Sequence, residues 1–476
     1  MNDDFVLVGS ILLPKSVAES MSGQTLRCRE MIPLSLWQQK VNQLFYRRDD
    51  SPLDHLGTLG GADPLLPQAM AREFLQDNNG AKTVHEIGPG KFNFARHFVD
   101  EAKPTLDELA YRGHDFSETS YAFVKPELEP YGQSIQFNRT SLSEFPRKVT
   151  DDPLQAILVE VLDDVATEFF ARHEGREYML HVRPEMNGGL FFPSKKKYAR
   201  IKIDGGNFSL AIRRAASSEG MEKTYHAREI IGLINSLKWD ELDKIHPSFL
   251  KWLRYTPESK VFNPFSLDQL YLTHWKDVPD EFRTYGGSII NHFRDQLSHA
   301  EEDRTVHFPV GGLEFLWSLR ERKNARVDFF DYGYASAKND VEHMAVYNGQ
   351  ITAPVNFELL KYAAEWLGFN ARLETNREFI RRTLGEDTIP IAYVFKAFNN
   401  SSLTHANVRK LLYDCFHKKI VELCPKTKPT IDNFMAFRVR RDAYETVIDV
   451  AKEKGFVKPD FEMSEGSFHL AAYKRT

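Results

Sequence analysis

Carboxylates and glycines recur in this sequence where predicted strands end. The segment Glu86-Ile87-Gly88-Pro89-Gly90 follows one strand and precedes a helix, Asp115 ends the next strand, and Glu160 and Asp163 follow a later one. Glycines let the backbone approach a ligand without a Cβ clash, and a helix N-terminus offers free N–H groups. Carboxylates accept strong hydrogen bonds from hydroxyls and cations. The pattern predicts a site for a nucleoside-like ligand.

The glycine turn alone has two interpretations, a plain structural turn or a ligand loop. In dinucleotide-binding folds the ligand at such a turn is a pyrophosphate. Here the acid Glu86 stands two residues before Gly88, and it favours the amino-acid end of S-adenosylmethionine (SAM) instead. We therefore expect Glu86, Gly88, Pro89 and Gly90 to bind SAM.

A ribose anchor is expected about 20 residues beyond such a turn, on a strand-ending acid. Asp115 fits that position, and Phe116, which follows it, is counted with it in the cofactor site. The alternative is that Asp115 only caps the next helix. Ser141 and Leu142 follow the third strand, where an adenine ring would pack, although an ordinary loop explains them equally well.

Strands and helices alternate around these residues, which is typical of a parallel sheet with right-handed crossovers. Hydrophobic periodicity predicts strands at 82–87, 109–116, 135–138, 154–161, 325–331, 369–375 and 467–475. It predicts helices at 30–46, 67–77, 93–102, 120–128, 311–323 and 356–367. The expected fold class is α/β, a class I Rossmann-like methyltransferase sheet, mostly parallel with an antiparallel last strand.

The length of 476 residues suggests more than one domain. We expect N-terminal helices and the first half of the SAM-binding domain at 1–175, and the second half at 306–384. Residues 176–305 form an inserted subdomain that caps the substrate side, with a strand at 195–203 and helices at 226–237 and 284–299. Residues 385–476 form a helical C-terminal extension that ends in the last sheet strand.

Composition excludes several classes of protein. The net charge of −5 argues against a chain built to coat nucleic acid, and the basic stretches at 195–197 and 438–441 are typical of solvated surface. The three cysteines form no CxxC pair, and the histidines form no metal motif, so no metal is expected. The N-terminus lacks the basic start of a signal peptide, and no run is long enough to span a membrane. We expect a cytoplasmic protein without a membrane partner; a homodimer is left open.

Four segments, in order, resemble the MidA-like SAM-dependent methyltransferases, a family that includes a mitochondrial arginine methyltransferase. They are EIGPGKFNFARHF at 86–98, ILVEVLDDV at 157–165, FFDYGY at 329–334 and NGQITAPVNFELLKYAAEWLGF at 348–369. The resemblance implies the class I fold and SAM as cofactor. Phe92 stands where the family has its third loop glycine, which leaves open a fold that has lost turnover.

Methyl transfer from a sulfonium needs the acceptor held in line at close range. Glu160 and Asp163 can grip a guanidinium and orient one nitrogen, and Glu160 is also expected to belong to the cofactor site. Tyr332 is expected either to line the substrate pocket or to pack in the core. Helix capping and loop salt bridges are the alternative for the two acids. By resemblance, the substrate is a protein or peptide side chain, with arginine nitrogen first; a small molecule is the alternative.

Overall fold

The computed structural model describes most of the chain outside the insertion. The described residues are 5–8, 11–14, 25–27, 32–46, 63–77, 80–173, 176–187, 190–191, 225–226, 253–256, 271–274, 305–336, 345–347, 350–398, 401–462 and 465–475. The predicted strand at 195–203 and the predicted helix at 284–299 lie outside these residues. So does the predicted helix at 226–237, apart from His226, which belongs to a short strand.

A mostly parallel sheet forms the centre of the molecule. Its seven main strands, numbered here along the chain, are β1 Thr83–Ile87, β2 Ala110–Asp115, β3 Ile135–Arg139, β4 Leu154–Val159, β5 Ala325–Tyr334, β6 Asn370–Thr375 and β7 Ser467–Lys474. Their spatial order is β6-β7-β5-β4-β1-β2-β3, and β7 runs antiparallel to both of its neighbours. An eighth short strand, Val355–Asn356, extends the sheet at the end of β5. The α/β fold class predicted from the sequence, with an antiparallel last strand, is confirmed.

Helices cover both faces of this sheet. In chain order they are α1 Leu34–Tyr46, α2 Leu65–Gln76, α3 Asn93–Ala102, α4 Glu118–Leu128, α5 Phe145–Lys148, α6 Val310–Ser318, α7 Phe357–Trp366 and α8 Asn376–Leu384. The apolar sides of α6 and α7 bury one face, and those of α2, α3 and α8 bury the other. The strand β4 is buried along its whole length, as its continuous apolar run predicts.

A second, antiparallel sheet interrupts the α/β pattern. Its centre is the strand Arg176–Asn187, which pairs with Glu168–His173. On its other side, Glu168–His173 pairs with Thr305–Phe308. The other described members are Thr25–Arg27, Ile32–Pro33, Leu253–Thr256 and Tyr271–His274. Outside these two sheets, the described residues of the N-terminal, inserted and central segments form two-stranded antiparallel ribbons. These are Phe5–Val8 with Ile11–Pro14, Leu190–Phe191 with Tyr225–His226, and Ala345–Tyr347 with Gln350–Thr352.

The C-terminal part builds a separate small core before the chain returns to the sheet. It contains α9 Ile391–Ala397, α10 His405–Leu423 and α11 Arg441–Glu453. A two-stranded antiparallel ribbon of Thr388–Pro390 and Arg438–Arg440 completes it. Their buried side chains pack on one another rather than on the sheet. Within the described residues, no helix is long and apolar enough to cross a bilayer.

Candidate functional site

A large cleft lies at the carboxyl edge of the central sheet. The chain moves outward in one direction from β1 to β2 and β3, and in the other direction from β4 to β5, so the carboxyl ends of β1 and β4 flank a topological switch point. Ligands of open α/β sheets bind at such points. The cavity here, called the switch-point cleft, has a volume of about 1530 Å³.

Residues from several distant segments line this cleft. From the predicted cofactor set, these are Glu86, Gly88, Pro89, Gly90, Asp115, Phe116, Ser141, Leu142 and Glu160. Every cofactor residue expected from the sequence therefore lies on one cavity. Two of the three expected catalytic residues, Asp163 and Tyr332, are absent from the described lining.

The glycine turn has the backbone that its sequence requires. Gly88 has φ of 69° and Gly90 has φ of 50°, which is the left-handed region that side chains disfavour. The Gly88 N–H donates to the His114 carbonyl at 2.8 Å, and this bond ties the turn to β2. A Cβ on Gly88 would lie 2.8 Å from Cγ2 of Val161, so the turn also sits against the loop after β4.

Phe92 takes the left-handed conformation that a third glycine would otherwise supply. Its φ is 56°, yet its ring is buried in the core under the turn and is not part of the cleft lining. The ring fits there because β2 carries Gly113 opposite it, where a Cβ would lie 2.3 Å from Phe92 Cε1. Phe92 thus leaves the cleft open, because its ring occupies the space that Gly113 provides.

Glu86 is held inside the protein at the end of β1. Its Oε2 accepts a hydrogen bond from the Tyr111 hydroxyl at 2.9 Å. Burial raises the pKa of Glu86 to about 8, because a charged carboxylate is poorly solvated there. Its carboxyl group therefore stabilises the base of the turn as well as facing the cleft.

Asp115 ends β2, holds the turn before α4 and lines the cleft. Its Oδ1 accepts the Ser117 N–H at 2.8 Å, as a helix-capping residue does. The residue nevertheless lines the cleft, and burial raises its pKa to about 6. The Thr140 N–H donates to the Asp115 carbonyl at 2.9 Å, which sets the loop of Ser141 and Leu142 beside it.

A left-handed residue ends β4 and redirects the following loop. Glu160 has φ of 50°, and its N–H donates to the Phe330 carbonyl at 2.7 Å. Asp331 then fixes the loop, since its Oδ2 accepts the N–H groups of Leu162 at 2.8 Å and Asp163 at 3.2 Å. The predicted strand 154–161 therefore ends at Val159.

This turn determines which acids face the cleft. Asp164 lines it together with Glu160, whereas Asp163 is buried behind them and its Oδ1 has no hydrogen-bond partner within the described residues. Burial, followed by the nearby charges of Asp164 and Asp331, raises the pKa of Asp163 well above its usual range. Tyr332 is half-buried beside this loop, with burial raising its pKa, and is not among the residues that line the cleft.

The N-terminal helix α1 covers the loop after β4, a contribution that its amphipathic pattern did not reveal. Gln38 donates to the Asp163 carbonyl at 2.8 Å, and Asn42 donates to the Asp164 carbonyl at 2.8 Å. The Tyr46 hydroxyl donates to Asp164 Oδ2, and Gln39, Asn42, Gln43 and Tyr46 line the cleft. Polar residues within an apolar helix face, as at positions 38 and 42, were the signal available in the sequence.

The C-terminal extension supplies another wall of the cleft. Its lining residues are Ala392, Arg409, Asp432, Asn433, Met435 and Ala436. Arg438, expected to be solvated, is instead buried and ion-paired with Asp63 and Glu465, because these acids replace its hydration. Arg440 and Arg441 are exposed, as expected, and pair with Glu386 and Glu445.

No protein-family model matches the chain, and no curated protein matches it. Among solved structures, an uncharacterised protein from Burkholderia thailandensis is 14% identical, with 97% of this chain and 89% of that chain covered and a TM-score of 0.43. A second protein from that organism, bound to S-adenosyl-homocysteine, is 15% identical, with 97% of this chain and 90% of that chain covered and a TM-score of 0.43. The plantazolicin methyltransferase in complex with S-adenosyl-homocysteine is 11% identical, with 27% of this chain and 49% of that chain covered and a TM-score of 0.21. At these identities and TM-scores, the function must be argued from the chain's own site.

Proposed function

We propose that the protein is a SAM-dependent methyltransferase. One observation carries the proposal: a single cleft at the switch point collects the Gly88–Gly90 turn, Asp115, the Ser141-Leu142 loop and Glu160. The turn, the ribose acid and the adenine loop follow β1, β2 and β3 in order, which is the order in which the three parts of a nucleoside-based cofactor would be contacted.

The charges near the turn favour SAM over a dinucleotide. Glu160 and Asp164 line the cleft on the loop after β4, next to the turn. A pyrophosphate at this position would be repelled by such carboxylates, while the cationic sulfonium and ammonium of SAM would be attracted. Burial strengthens both effects because it lowers the local dielectric constant.

Each part of the cleft has a separate task in this proposal. Bound SAM supplies a methyl group on a positively charged sulfur. The turn at Gly88–Gly90 lets the backbone approach the amino-acid end, and Asp115 accepts from the ribose hydroxyls. Phe116 and Leu142 offer apolar surface for the adenine ring. Burial of the Phe92 ring away from the cleft supports a cofactor site that has kept its function.

The acceptor we infer is an arginine side chain of a protein or peptide, in line with the MidA-like resemblance. Glu160 and Asp164 line one stretch of the cleft and can bind a guanidinium, which keeps its charge at neutral pH. Asp163 and Asp331 lie behind them, and burial raises the pKa of both, so the negative charge at this end of the cleft is carried by Glu160 and Asp164. Glu160 and Asp164 would orient one nitrogen toward the methyl group, and positioning of this kind supplies several kcal/mol.

Cofactor binding is tested by calorimetry with SAM, S-adenosylhomocysteine and NAD. We expect binding of the first two and not of NAD. Gly88→Arg should abolish binding, because a side chain there meets Val161 and fills the turn. Gly385→Arg is the matched control, since Gly385 is left-handed, with φ of 78°, but has open space around it. Wild-type protein that fails to bind SAM, or unchanged binding by Gly88→Arg, would refute the proposal.

The acceptor is tested with methyl-labelled SAM and cell extract, with products separated by size. Label in protein, released as methylarginine on hydrolysis, is the expected result. Glu160→Gln with Asp164→Asn should remove it, and SAM affinity measured on the same variant separates loss of the acceptor site from loss of the cofactor. Label that appears only in small molecules would overturn the arginine assignment and leave the cofactor assignment intact.

A further inference from the structure

A buried chain of polar side chains crosses the sheet beneath the switch-point cleft. His85 on β1 contacts Asp151 with its Nε2 at 2.8 Å, and its Nδ1 contacts His114 Nε2 at 2.9 Å. Both imidazoles are buried, while the Asp151 side chain is 35% exposed. The chain therefore begins near solvent and ends at His114, which lines the cleft.

The direction of the hydrogen bonds follows from the carboxylate at one end. A carboxylate only accepts, so His85 must carry its proton on Nε2 and leave Nδ1 as an acceptor. His114 must then donate from Nε2, which leaves a bare lone pair on its Nδ1. Burial lowers the pKa of His85 and lowers that of His114 to about 3, so both rings stay neutral.

The Nδ1 atom of His114 has no partner within the described residues, although it is buried. Unpaired buried acceptors are rare in proteins, and each needs an explanation such as a catalytic role, an ion or another bound group. Phe145 packs edge-on against the ring at 4.9 Å between centroids, and this residue follows directly from the Ser141-Leu142 loop. His114 therefore lies between the ribose acid at Asp115 and the loop expected to hold adenine.

Asp151 is also fixed in place. Arg322, which lies after the end of α6, donates to the Asp151 carbonyl at 2.8 Å and to the Val149 and Pro146 carbonyls. These bonds hold the loop that carries the Asp151 carboxylate. This arrangement has no evident use in folding alone, because the chain terminates in an unmet acceptor rather than in a closed network.

We propose that His114 selects the 6-amino group of the cofactor's purine, and that Asp151 and His85 are positioning residues that keep its Nδ1 as an acceptor. This inference rests on the proposed function, since it takes the ligand to be an adenine nucleoside. A 6-amino group donates to the lone pair, whereas the 6-oxo group of an inosine analogue presents a second acceptor to it. His114 with a pKa near 3 is a poor base, so acceptance of a hydrogen bond fits it better than proton abstraction.

The test compares S-adenosylhomocysteine with S-inosylhomocysteine by calorimetry. Wild-type protein should bind the adenosyl compound about 10-fold more tightly or better, the effect expected for one hydrogen bond replaced by an acceptor–acceptor contact. His114→Phe should reduce this ratio toward one. Asp151→Asn should also reduce it and should strengthen binding of the inosyl compound, because an amide can donate to His85 and reverse the chain.

Asp152→Asn is the matched control, with the same change of charge on an exposed neighbouring residue, and it should keep the wild-type ratio. Asp151→Asn changes a partly exposed side chain, so it provides a readout if His114→Phe does not fold. Equal binding of both compounds by the wild type, or a wild-type ratio in Asp151→Asn, overturns this inference alone. Absence of S-adenosylhomocysteine binding refutes the proposed function with it.

Discussion

The pairing of Phe92 with Gly113 predicts how the unusual turn is stabilised. Phe92→Gly should relieve the left-handed strain, about 1–2 kcal/mol for a residue with a side chain. It also removes a fully buried phenyl ring, which costs about 3–5 kcal/mol. The loss exceeds the gain, so we expect Phe92→Gly to lower the free energy of unfolding by about 1–4 kcal/mol.

The reciprocal change tests the same contact. Gly113→Ala places a Cβ 2.3 Å from the Phe92 ring and 2.9 Å from Pro89 Cγ, and overpacking of this kind costs about 1–3 kcal/mol. In the Phe92→Gly background only the Pro89 contact remains. The second substitution should therefore cost less there, which gives a coupling energy of about 1 kcal/mol or more.

Urea unfolding of the wild type, both single variants and the double variant measures these values. Cofactor affinity, measured by calorimetry on the folded single variants, should change little for Phe92→Gly because the ring is outside the cleft lining. A more stable Phe92→Gly, or strictly additive free energies, would contradict the packing argument. A large change in cofactor affinity without a change in stability would mean that the ring belongs to the ligand site.

Three further outcomes follow from the geometry. Gly333→Ala should destabilise the protein by about 3 kcal/mol or more in urea unfolding, because its Cβ would lie 2.1 Å from the Val355 carbonyl oxygen; a neutral effect would contradict the close strand pairing. The raised pKa of Glu86, about 8 against an ordinary 4.5, means that ionisation costs stability as pH rises through this window. Glu86→Gln should therefore gain stability relative to the wild type between about pH 4.5 and 8, by about 5 kcal/mol at most, and a constant difference across pH would refute this. Asp115, with a pKa of about 6, must be ionised to accept both ribose hydroxyls, so S-adenosylhomocysteine affinity should fall about tenfold per pH unit below that value. Asp115→Asn should show weak binding without this slope, and an identical slope in the variant would assign the titration to another group.

The strands of the central sheet could be predicted within three residues at each end because their burial leaves a direct trace in the sequence. The apolar run that contains β4 is typical of a strand covered on both faces. The residues that line the cleft could be predicted for a related reason, since they occupy the ends of those strands, and the carboxyl ends of parallel strands meet at one edge.

Contacts between distant segments could not be predicted in this way. Gln38 and Asn42 bind backbone carbonyls of the loop after β4, more than a hundred residues away, and backbone acceptors leave no pattern in a sequence. Arg438 could be recognised as buried only through Asp63 and Glu465, which belong to two other segments. The part of the cleft wall that the C-terminal extension forms could not be predicted for the same reason.

The choice between Asp163 and Asp164 shows how one backbone angle can decide the identity of a site residue. Both carboxylates follow the same strand, but the extended conformation ends at Val159, so alternation along β4 does not tell which of them faces the cleft. The chain turns at the left-handed Glu160, and Asp331 accepts the N–H groups of Leu162 and Asp163. Asp163 is thereby held inside the protein, and Asp164 lines the cleft. The Asp331 carboxyl group thus acts on the cleft without lining it, because it fixes the loop that presents Asp164.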